Sequence, residues 1–269
     1  MRLRGGAWTR IAGARSPSDL ASHAHRYIFG DEAGKWGRYD KQEAPPFELA
    51  RERTRTYEET AREMLNSTPT VPDDLIAQEF EAGDQARYHV PCPHCGHYQA
   101  LEWARIDLNE CRDPEEMRRD QLATYSCISC EEDIPDSAKR EMLERGLWVP
   151  KGAAVTNGKV VNPNPPTSRR SFHLWAGYSP WLTWSDIAFE WLRSKDDPGK
   201  LQNFVNSWLG EPWHQQVAKM DDDLVLQAVA DYPRDTVPKP VRVITAGVDV
   251  QDDRLYYAIR GFGSRDRSW

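Results

Sequence analysis

The sequence predicts an α/β protein, and three features of its 269 residues support this fold class. Residues 27–32 and 241–249 are short β-rich runs that end in carboxylates. Two Cys-x-x-Cys pairs lie between these runs, and capped amphipathic helices follow the second pair. In open α/β sheets, ligands bind beyond the carboxyl ends of the strands. The acidic ends of the two runs are therefore candidate sites.

The composition limits the class of protein. With 39% hydrophobic and 29% charged residues, the chain can form one large domain or two to three smaller ones. Its net charge of -7 argues against a general attraction to nucleic acid, so DNA contact would depend on local patches. No apolar stretch reaches membrane-spanning length, and the N-terminus lacks the apolar core of a secretory signal. We expect a cytoplasmic protein without a membrane partner.

The run Tyr27-Ile28-Phe29-Gly30-Asp31-Glu32 predicts a buried strand of a parallel sheet over residues 26–30. Asp31 at its end can hold the Mg²⁺ of a bound nucleotide, and Glu32 can orient the attacking water. This is a Walker B arrangement. The alternative is a solvated strand end, because apolar runs followed by two acids also occur by chance.

A second short strand is predicted over residues 62–65, and it leads into Ser67-Thr68-Pro69. The hydroxyls of Ser67 and Thr68 are placed where a strand tip faces a ligand crevice. An ordinary turn is the alternative. We also expect two short strands in residues 1–15, a helix start at Ser16-Pro17 and helical structure over residues 45–58.

The two Cys-x-x-Cys pairs are the strongest motif in the chain. Two such turns complete a closed tetrahedral Zn²⁺ site, which predicts a structural zinc bound by Cys92, Cys95, Cys127 and Cys130. A closed set of four thiolates leaves no open position for a substrate. His94 or His97 could replace a thiolate, and two unrelated cysteine pairs are the remaining alternative. Cys111 is expected to be a bystander.

After the second Cys-x-x-Cys pair, the sequence predicts one helix, then a loop, then two further helices. One helix is predicted to begin at Asp136 or Ser137 and to end at Gly146. Residues 151–167 are rich in Gly, Asn and Pro and predict a surface loop. Two further helices are predicted, over residues 184–193 with Thr183 as the cap, and from Pro198 behind Asp197 to Gly210. Their aromatic faces favour a core over a base-stacking surface.

The last segment predicts an antiparallel hairpin. Residues 241–249 form its first strand and residues 255–262 its second, with Asp252 and Asp253 in the turn. Asp249, at the end of the first strand, is a candidate metal ligand. Two-metal phosphoryl transfer would need further carboxylates.

These features together resemble the GpA-like family of tailed-bacteriophage terminase large subunits. The resemblance spans nearly the whole chain and keeps the family's order. Its motifs are Gly13-Ala14-Arg15-Ser16-Pro17-Ser18-Asp19-Leu20, Tyr27 to Glu32, Ser67-Thr68-Pro69, Pro91-Cys92-Pro93-His94-Cys95-Gly96, Cys127-Ile128-Ser129-Cys130, Phe204-Val205-Asn206, Leu209-Gly210-Glu211-Pro212-Trp213 and Ala246-Gly247-Val248-Asp249-Val250-Gln251-Asp252-Asp253-Arg254.

The resemblance implies an ATP-driven motor that packages DNA, joined to an RNase H-like nuclease that cuts concatemeric DNA. Asp31 would help hold Mg²⁺–ATP, Glu32 would activate water, and Ser67-Thr68-Pro69 would sense the nucleotide state. Asp249 would be the first nuclease carboxylate, binding Mg²⁺ or Mn²⁺. The implied partners are double-stranded phage DNA, the small terminase subunit and the portal or procapsid.

The implied organisation has four parts. They are a partial P-loop-type ATPase sheet (1–88), a zinc-ribbon-like region (89–150), a linker and helical region (151–240) and the first hairpin of the nuclease (241–269).

One departure from the family pattern concerns ATP. No Gly-x-x-x-x-Gly-Lys-Ser/Thr occurs, since Gly34-Lys35, Gly158-Lys159 and Gly199-Lys200 lack the rest of the motif. We therefore expect an internal piece of a longer protein that does not hydrolyse ATP as it stands. The competing hypothesis is a non-enzymatic zinc-ribbon module that binds DNA or a protein through Arg169-Arg170 and the tryptophan-rich helices.

Overall fold

The computed structural model describes residues 7–37, 44–57, 59–165, 167–214, 236–250 and 254–264. The chain divides into two compact units, Met1–His214 and Gln215–Trp269, which are described separately. The helices are α1 Pro17–Leu20, α2 Pro46–Arg51, α3 Leu75–Glu81, α4 Pro114–Arg119, α5 Asp136–Glu144, α6 Trp184–Ser194 and α7 Pro198–Asn203. The strands are β1 Tyr27–Asp31, β2 Arg62–Asn66, β3 Ala86–Pro91, β4 Tyr98–Ala100, β5 Ile106–Asp107, β6 Thr124–Ser126, β7 Asp133–Ile134, β8 Leu147–Val149, β9 Ala154–Thr156, β10 Lys159–Val161, β11 Phe172–His173, β12 Val243–Val250 and β13 Leu255–Phe262.

Strands β1 and β2 form the predicted parallel pair, in a register that places Asp31 opposite Asn66. The expected burial of β1 is wrong, because Phe29 is 77% exposed and Met64 on β2 is 59% exposed. In the part of the chain that the structure describes, β1 pairs only with β2, and the side chains of Phe29 and Met64 stay exposed.

Arg51 fixes the elements around this strand pair. Its guanidinium lies 3.0 Å from Glu48 on its own helix α2, 3.1 Å from Glu63 on β2 and 3.6 Å from Glu79 on α3. The same group stacks over the Phe47 ring at 4.3 Å. One arginine therefore ties two helices to the strand that leads into Ser67-Thr68.

Two small sheets carry the cysteine pairs. Strand β3 pairs with β4, β8 and β11, and the three-stranded sheet has the order β5-β6-β7. The first cysteine pair lies in the turn between the antiparallel strands β3 and β4, and the second lies between β6 and β7. Both turns are thus hairpin connections.

The core of the first unit forms where helices α5 and α6 meet these sheets. Trp184 at the start of α6 is fully buried, and its ring lies 5.0 Å from that of Tyr125 on β6. Its backbone N–H donates to Asp136 at 2.9 Å, and its indole N–H donates to the Ile134 carbonyl at 3.2 Å. The buried Lys139 ammonium lies 3.7 Å from the Trp184 ring centroid. The expected core role of the aromatic helices is confirmed for α6.

The predicted caps of α6 and α7 are confirmed, whereas Ser16 precedes α1 and Pro135 precedes α5 without a side-chain capping bond. The Thr183 hydroxyl accepts from the Asp186 N–H, and the Asp186 carboxylate accepts from the Thr183 N–H, which makes a capping box. Asp197 caps α7 through the N–H groups of Gly199 and Lys200. Helix α7 ends earlier than predicted and passes into a π-helical turn, Phe204–Trp208.

One loop prediction and one strand prediction are wrong. Within residues 151–167, β9 and β10 form a hairpin whose turn residues Asn157 and Gly158 both have positive φ. Asn-Gly is a strong signal for such a turn, and the Gly/Asn/Pro-rich composition of the segment obscured it. Residues 7–15 contain one bridge residue, Trp8, and no strand, and the Arg10 side chain in this segment bonds to Asp19 and Ser22. The Gly5-Gly6 part of that prediction lies outside the described residues.

The second unit contains the predicted antiparallel hairpin, in which Asp249 on β12 stands opposite Tyr256 on β13. The turn residues Asp252 and Asp253 lie outside the described residues. Within the described residues of the chain, no helix is long and apolar enough to cross a membrane.

Tyr178 joins the β3 sheet to the loop after β4. Its hydroxyl donates to the Tyr88 carbonyl at 2.7 Å and accepts the Leu101 N–H at 2.9 Å. Burial raises the pKa of Tyr178 to about 12, above the value of about 10 in an unfolded chain. The unfolded state therefore loses this proton first, and the associated stability is lost as the pH rises from 10 to 12.

We predict that Tyr178→Phe lowers the free energy of unfolding at pH 7 by about 1–3 kcal/mol, because the Leu101 N–H loses its acceptor. The variant should also lose less stability than the parent between pH 10 and 12. Urea unfolding at several pH values measures both effects. Tyr98→Phe is the matched control, since the Tyr98 hydroxyl bonds to Arg145 at an exposed position. Equal alkaline losses in the parent and in Tyr178→Phe would contradict the prediction.

Candidate functional site

The structure brings Cys92, Cys95, Cys127 and Cys130 together, with all four Sγ atoms within 4.8 Å of one another. The Sγ atoms of Cys92 and Cys130 are 3.9 Å apart, and those of Cys95 and Cys127 are 3.8 Å apart. A tetrahedral ion with metal–sulfur bonds of about 2.3 Å requires sulfur separations of about 3.8 Å. The four sulfurs are therefore spaced to bind one metal ion.

The two cysteine turns have the same backbone geometry. In the first, the Cys92 N–H donates to His97 and the Cys92 carbonyl accepts from Gly96. In the second, Cys127 makes the equivalent bonds with Glu132 and Glu131. Gly96 and Glu131 occupy the same place in the two turns, and both have positive φ, 72° and 60°. The repeated geometry produces two matching chelating loops.

Backbone N–H groups favour the thiolate form within the cluster. The N–H of Ser129 lies 3.4 Å from Cys127 Sγ, and the N–H of His94 lies 3.4 Å from Cys92 Sγ. Although burial alone would raise it, hydrogen bonds from the N–H groups of Cys130 and Ser129 lower the pKa of Cys127 to about 7. Burial raises the pKa of Cys92. A metal ion would keep all four sulfurs deprotonated.

The other candidate ligands do not join the cluster. The His94 ring donates through Nε2 to the Asp133 carbonyl at 2.9 Å, which links the first cysteine turn to β7. Cys111 donates to the Asp113 carbonyl at 3.4 Å and is not part of the four-sulfur group. The donor set is four thiolates, as the sequence predicts.

The strand-end residues also meet. Asn66 donates to Asp31 Oδ1 at 3.0 Å, so the ends of β1 and β2 are joined by their side chains. Glu32 adopts a φ of 52°, and its carboxylate lies 2.8 Å from Lys35 Nζ. A Cβ added at Gly34 would lie 3.1 Å from both Ser67 Oγ and the Thr68 carbonyl. The Asp31-Glu32 turn therefore packs against Ser67-Thr68.

Ser67 does not point its hydroxyl at a carboxylate in this structure. Its Oγ donates to the Thr68 carbonyl at 2.8 Å. Pro69, the next residue in this segment, is buried. Asp249 is an exposed residue near the end of β12 in the second unit.

Family models match the chain in two stretches. Residues 1–148 match the model described as phage terminase large subunit gpA, ATPase domain, and this match covers more than half of the chain. Residues 169–269 match the model described as terminase large subunit gpA, endonuclease domain. The chain belongs to the gpA family of phage terminase large subunits.

Two individual terminases are similar to the chain. It is 31% identical over 188 residues to the large terminase subunit of Escherichia phage lambda, which covers 68% of this chain and 29% of that protein. It is 31% identical over 217 residues to the large terminase subunit of Enterobacteria phage P21, covering 77% of this chain and 33% of that protein. The chain thus spans about a third of the length of these relatives. No solved structure matches it.

The sequence analysis did not predict the role of Gln99, which supports the four-cysteine cluster of this gpA-family chain. Gln99 on β4 is 3% exposed, and its Oε1 accepts the Ile128 N–H at 2.8 Å. Ile128 follows the metal-ligand candidate Cys127, so Gln99 holds the second cysteine turn against the first hairpin. Its Nε2 has no hydrogen-bond partner among the described residues. The glutamine therefore leaves a buried donor unsatisfied, which is unfavourable for folding.

We predict that Gln99→Met weakens metal binding about 10–100-fold, the usual effect of losing an outer-sphere partner. The stability of the metal-free chain should change little, because the lost acceptor of the Ile128 N–H is offset by removal of the unsatisfied Nε2. Methionine fills a similar volume and removes the unsatisfied Nε2. Competition with a chromophoric chelator measures the affinity, and urea unfolding of the metal-free protein measures the stability. Gln121→Met is the control, because Gln121 is exposed and lies outside the cluster. Unchanged metal affinity in Gln99→Met would contradict the prediction.

Proposed function

We propose that this chain is part of a large terminase subunit that packages phage DNA by ATP-driven translocation and cuts it by metal-dependent hydrolysis. The observation that carries this proposal is the order of the two family matches, ATPase domain then endonuclease domain, along one chain. A zinc-ribbon module that only binds DNA or protein would not require matches to both domains.

On the ATPase side, we assign metal binding to Asp31 and water activation to Glu32. The position of Asp31 at the end of a parallel strand, beside Asn66 and near Ser67-Thr68, supports this assignment. Ser67 and Thr68 would respond to the nucleotide, because they lie against the turn that carries both carboxylates. Mg²⁺ would neutralise phosphate charge, and Glu32 would separate from Lys35 to orient a water molecule.

On the nuclease side, we assign the first metal-binding carboxylate to Asp249. Its place on the first strand of an antiparallel hairpin agrees with an RNase H-like sheet. Mg²⁺ or Mn²⁺ held there would supply a nucleophilic water for attack on a DNA phosphodiester. The role of Asp249 is to fix the ion at the end of the strand.

The four-cysteine centre would hold Zn²⁺ in a structural, zinc-ribbon-like region. Its sulfur spacing and its two matching hairpin turns support this assignment. Four thiolates leave no position for water or substrate, so the ion would join two sheets rather than take part in catalysis. The partners we propose are double-stranded phage DNA, the small terminase subunit and the portal or procapsid, in the host cytoplasm.

For the metal, we predict one tightly bound Zn²⁺ per purified chain. Cys127→Ser should lose the ion and much of the cooperative unfolding of the first unit, since binding of a structural zinc contributes directly to folding. Cys111→Ser, which changes a thiol outside the cluster, should retain both. Zinc content by atomic emission and thermal unfolding give the two readouts. A folded parent chain with substoichiometric zinc would contradict the assignment.

For the nuclease, we predict at most slow nicking of plasmid DNA in Mn²⁺, because Asp249 is the one nuclease carboxylate assigned here and two-metal hydrolysis needs several. Asp249→Asn should abolish this nicking. The loss should exceed the roughly 10–100-fold effect of removing an outer-sphere group, because a metal ligand itself is removed. Asp252→Asn changes a neighbouring acid and serves as the control. Gel assays of nicked and linear plasmid measure the rate. DNA retention without any cleavage would instead support the binding module.

A further inference from the structure

The carbonyl of Thr70 joins two distant parts of the first unit. It accepts the Asn206 Nδ2–H at 2.9 Å and the Trp213 backbone N–H at 2.9 Å. The same Asn206 amide donates to the Glu211 carbonyl at 2.9 Å. One side chain therefore connects the segment after Ser67-Thr68 with the segment that ends the first unit.

The Thr70 end of this connection is held firmly in place. Both the N–H and the hydroxyl of Thr70 donate to Asp74 Oδ2, at 2.5 and 2.9 Å. Asp74 also caps helix α3 by accepting the Ala77 N–H at 2.8 Å. Pro69, directly before Thr70, is buried. Residues 67–70 therefore form one segment anchored to the start of α3, and a shift of Ser67-Thr68 would move Thr70 together with that helix start.

The backbone around Asn206 positions its side-chain amide for these hydrogen bonds. Asn206 is 9% exposed and lies in the π-helical turn, which the Leu209 N–H closes by donating to the Phe204 carbonyl at 3.1 Å. Gly210 then reverses the chain with a φ of 64°, and the Glu211 N–H returns to Val205 at 3.1 Å. Such π turns occur frequently at functional sites. Here the turn directs a buried amide at two carbonyls.

The two ends fall in different family matches, Thr70 in the ATPase-domain stretch and Asn206 and Trp213 in the endonuclease-domain stretch. We propose that Asn206 is a positioning residue that couples Ser67-Thr68 to residues 211–213, which lead into the second unit. The functional meaning of this coupling rests on the proposed function. When Ser67-Thr68 moves, Thr70 moves the Asn206 and Trp213 donors, and the connecting segment follows. By linkage, the coupling free energy between the two segments is the same in both directions.

Hydrogen exchange on the full chain tests the coupling from both ends. Asn206→Ala should raise exchange in peptides covering residues 67–74 as well as 209–213, by about five- to tenfold, as expected for losing one to two hydrogen bonds. Asn203→Ala is the control at the end of α7, since the Asn203 side chain accepts from the nearby Ser207 hydroxyl at 3.2 Å. A rise confined to residues 203–213 would overturn the proposal, because Asn206 would then act only on its own turn.

A second experiment removes the hydrogen bonds that anchor Thr70 and leaves Asn206 unchanged. Asp74→Ala should raise exchange in residues 209–213 of the parent chain and should add little in the Asn206→Ala background. Asp73→Ala is the matched control. Exchange that changes in residues 67–81 and stays at the parent value in 209–213 would also overturn the proposal.

A further variant keeps the test decisive if Asn206→Ala fails to fold, as judged by zinc content. Trp213→Pro removes the other donor to Thr70, and it should raise exchange in residues 67–74. No change there would overturn the proposal. None of these measurements uses ATP or DNA, so their outcome is separate from that of the nuclease assay.

Discussion

The requirement that four sulfur atoms surround one point organises the first unit. Strands β4, β5, β6 and β7 have only two or three residues each, and sheets this small are marginal by themselves. The two cysteine turns connect strands of each hairpin. Gln99 on β4 accepts the Ile128 N–H, and the His94 ring donates to the Asp133 carbonyl on β7, so each hairpin is bonded to the other. Sulfurs about 3.8 Å apart fit one tetrahedral ion, which would restrict how the two hairpins can lie relative to each other. The core behind them then packs against a defined surface.

This core does not follow the division into an ATPase and an endonuclease stretch. Trp184, in the endonuclease-domain match, packs against Tyr125 on β6, and the Ser185 hydroxyl accepts the Ala123 N–H at 2.9 Å. Tyr125 and Ala123 both lie in the ATPase-domain match. Asp136 caps α6 from the ATPase side of the division. The compact unit ends at His214, well inside the second match. The helices after residue 169 therefore belong physically to the cysteine-bearing body, which lies in sequence between the strand-end carboxylates and the second unit.

Local patterns made part of this structure predictable. The caps at Thr183 and Asp197 and the two strands that end at Asp31 and Asn66 follow from residues within a few positions of each other. The cysteine cluster was predictable because its spacing repeats. The roles of Gln99 and Asn206 could not be predicted, since their partners lie 29 and 136 residues away and neither residue type signals such a contact. The exposure of β1 was missed for a related reason, because an apolar run indicates a strand and does not show what covers it.

The cysteine cluster, the Asp31-Glu32 pair and Asp249 differ in how far the surrounding residues already hold them in a geometry that could bind a metal ion. The cysteine centre is pre-formed by backbone N–H groups and by two matching turns, so a metal ion there requires little rearrangement. Asp31, Glu32 and Asp249 are exposed, and the nearest cation to Glu32 is Lys35 on its own turn. Exposed carboxylates in water bind a divalent ion weakly unless phosphate oxygens or other ligands complete its shell. The cysteine cluster therefore differs from these carboxylates, which need further ligands before they can hold a divalent ion firmly.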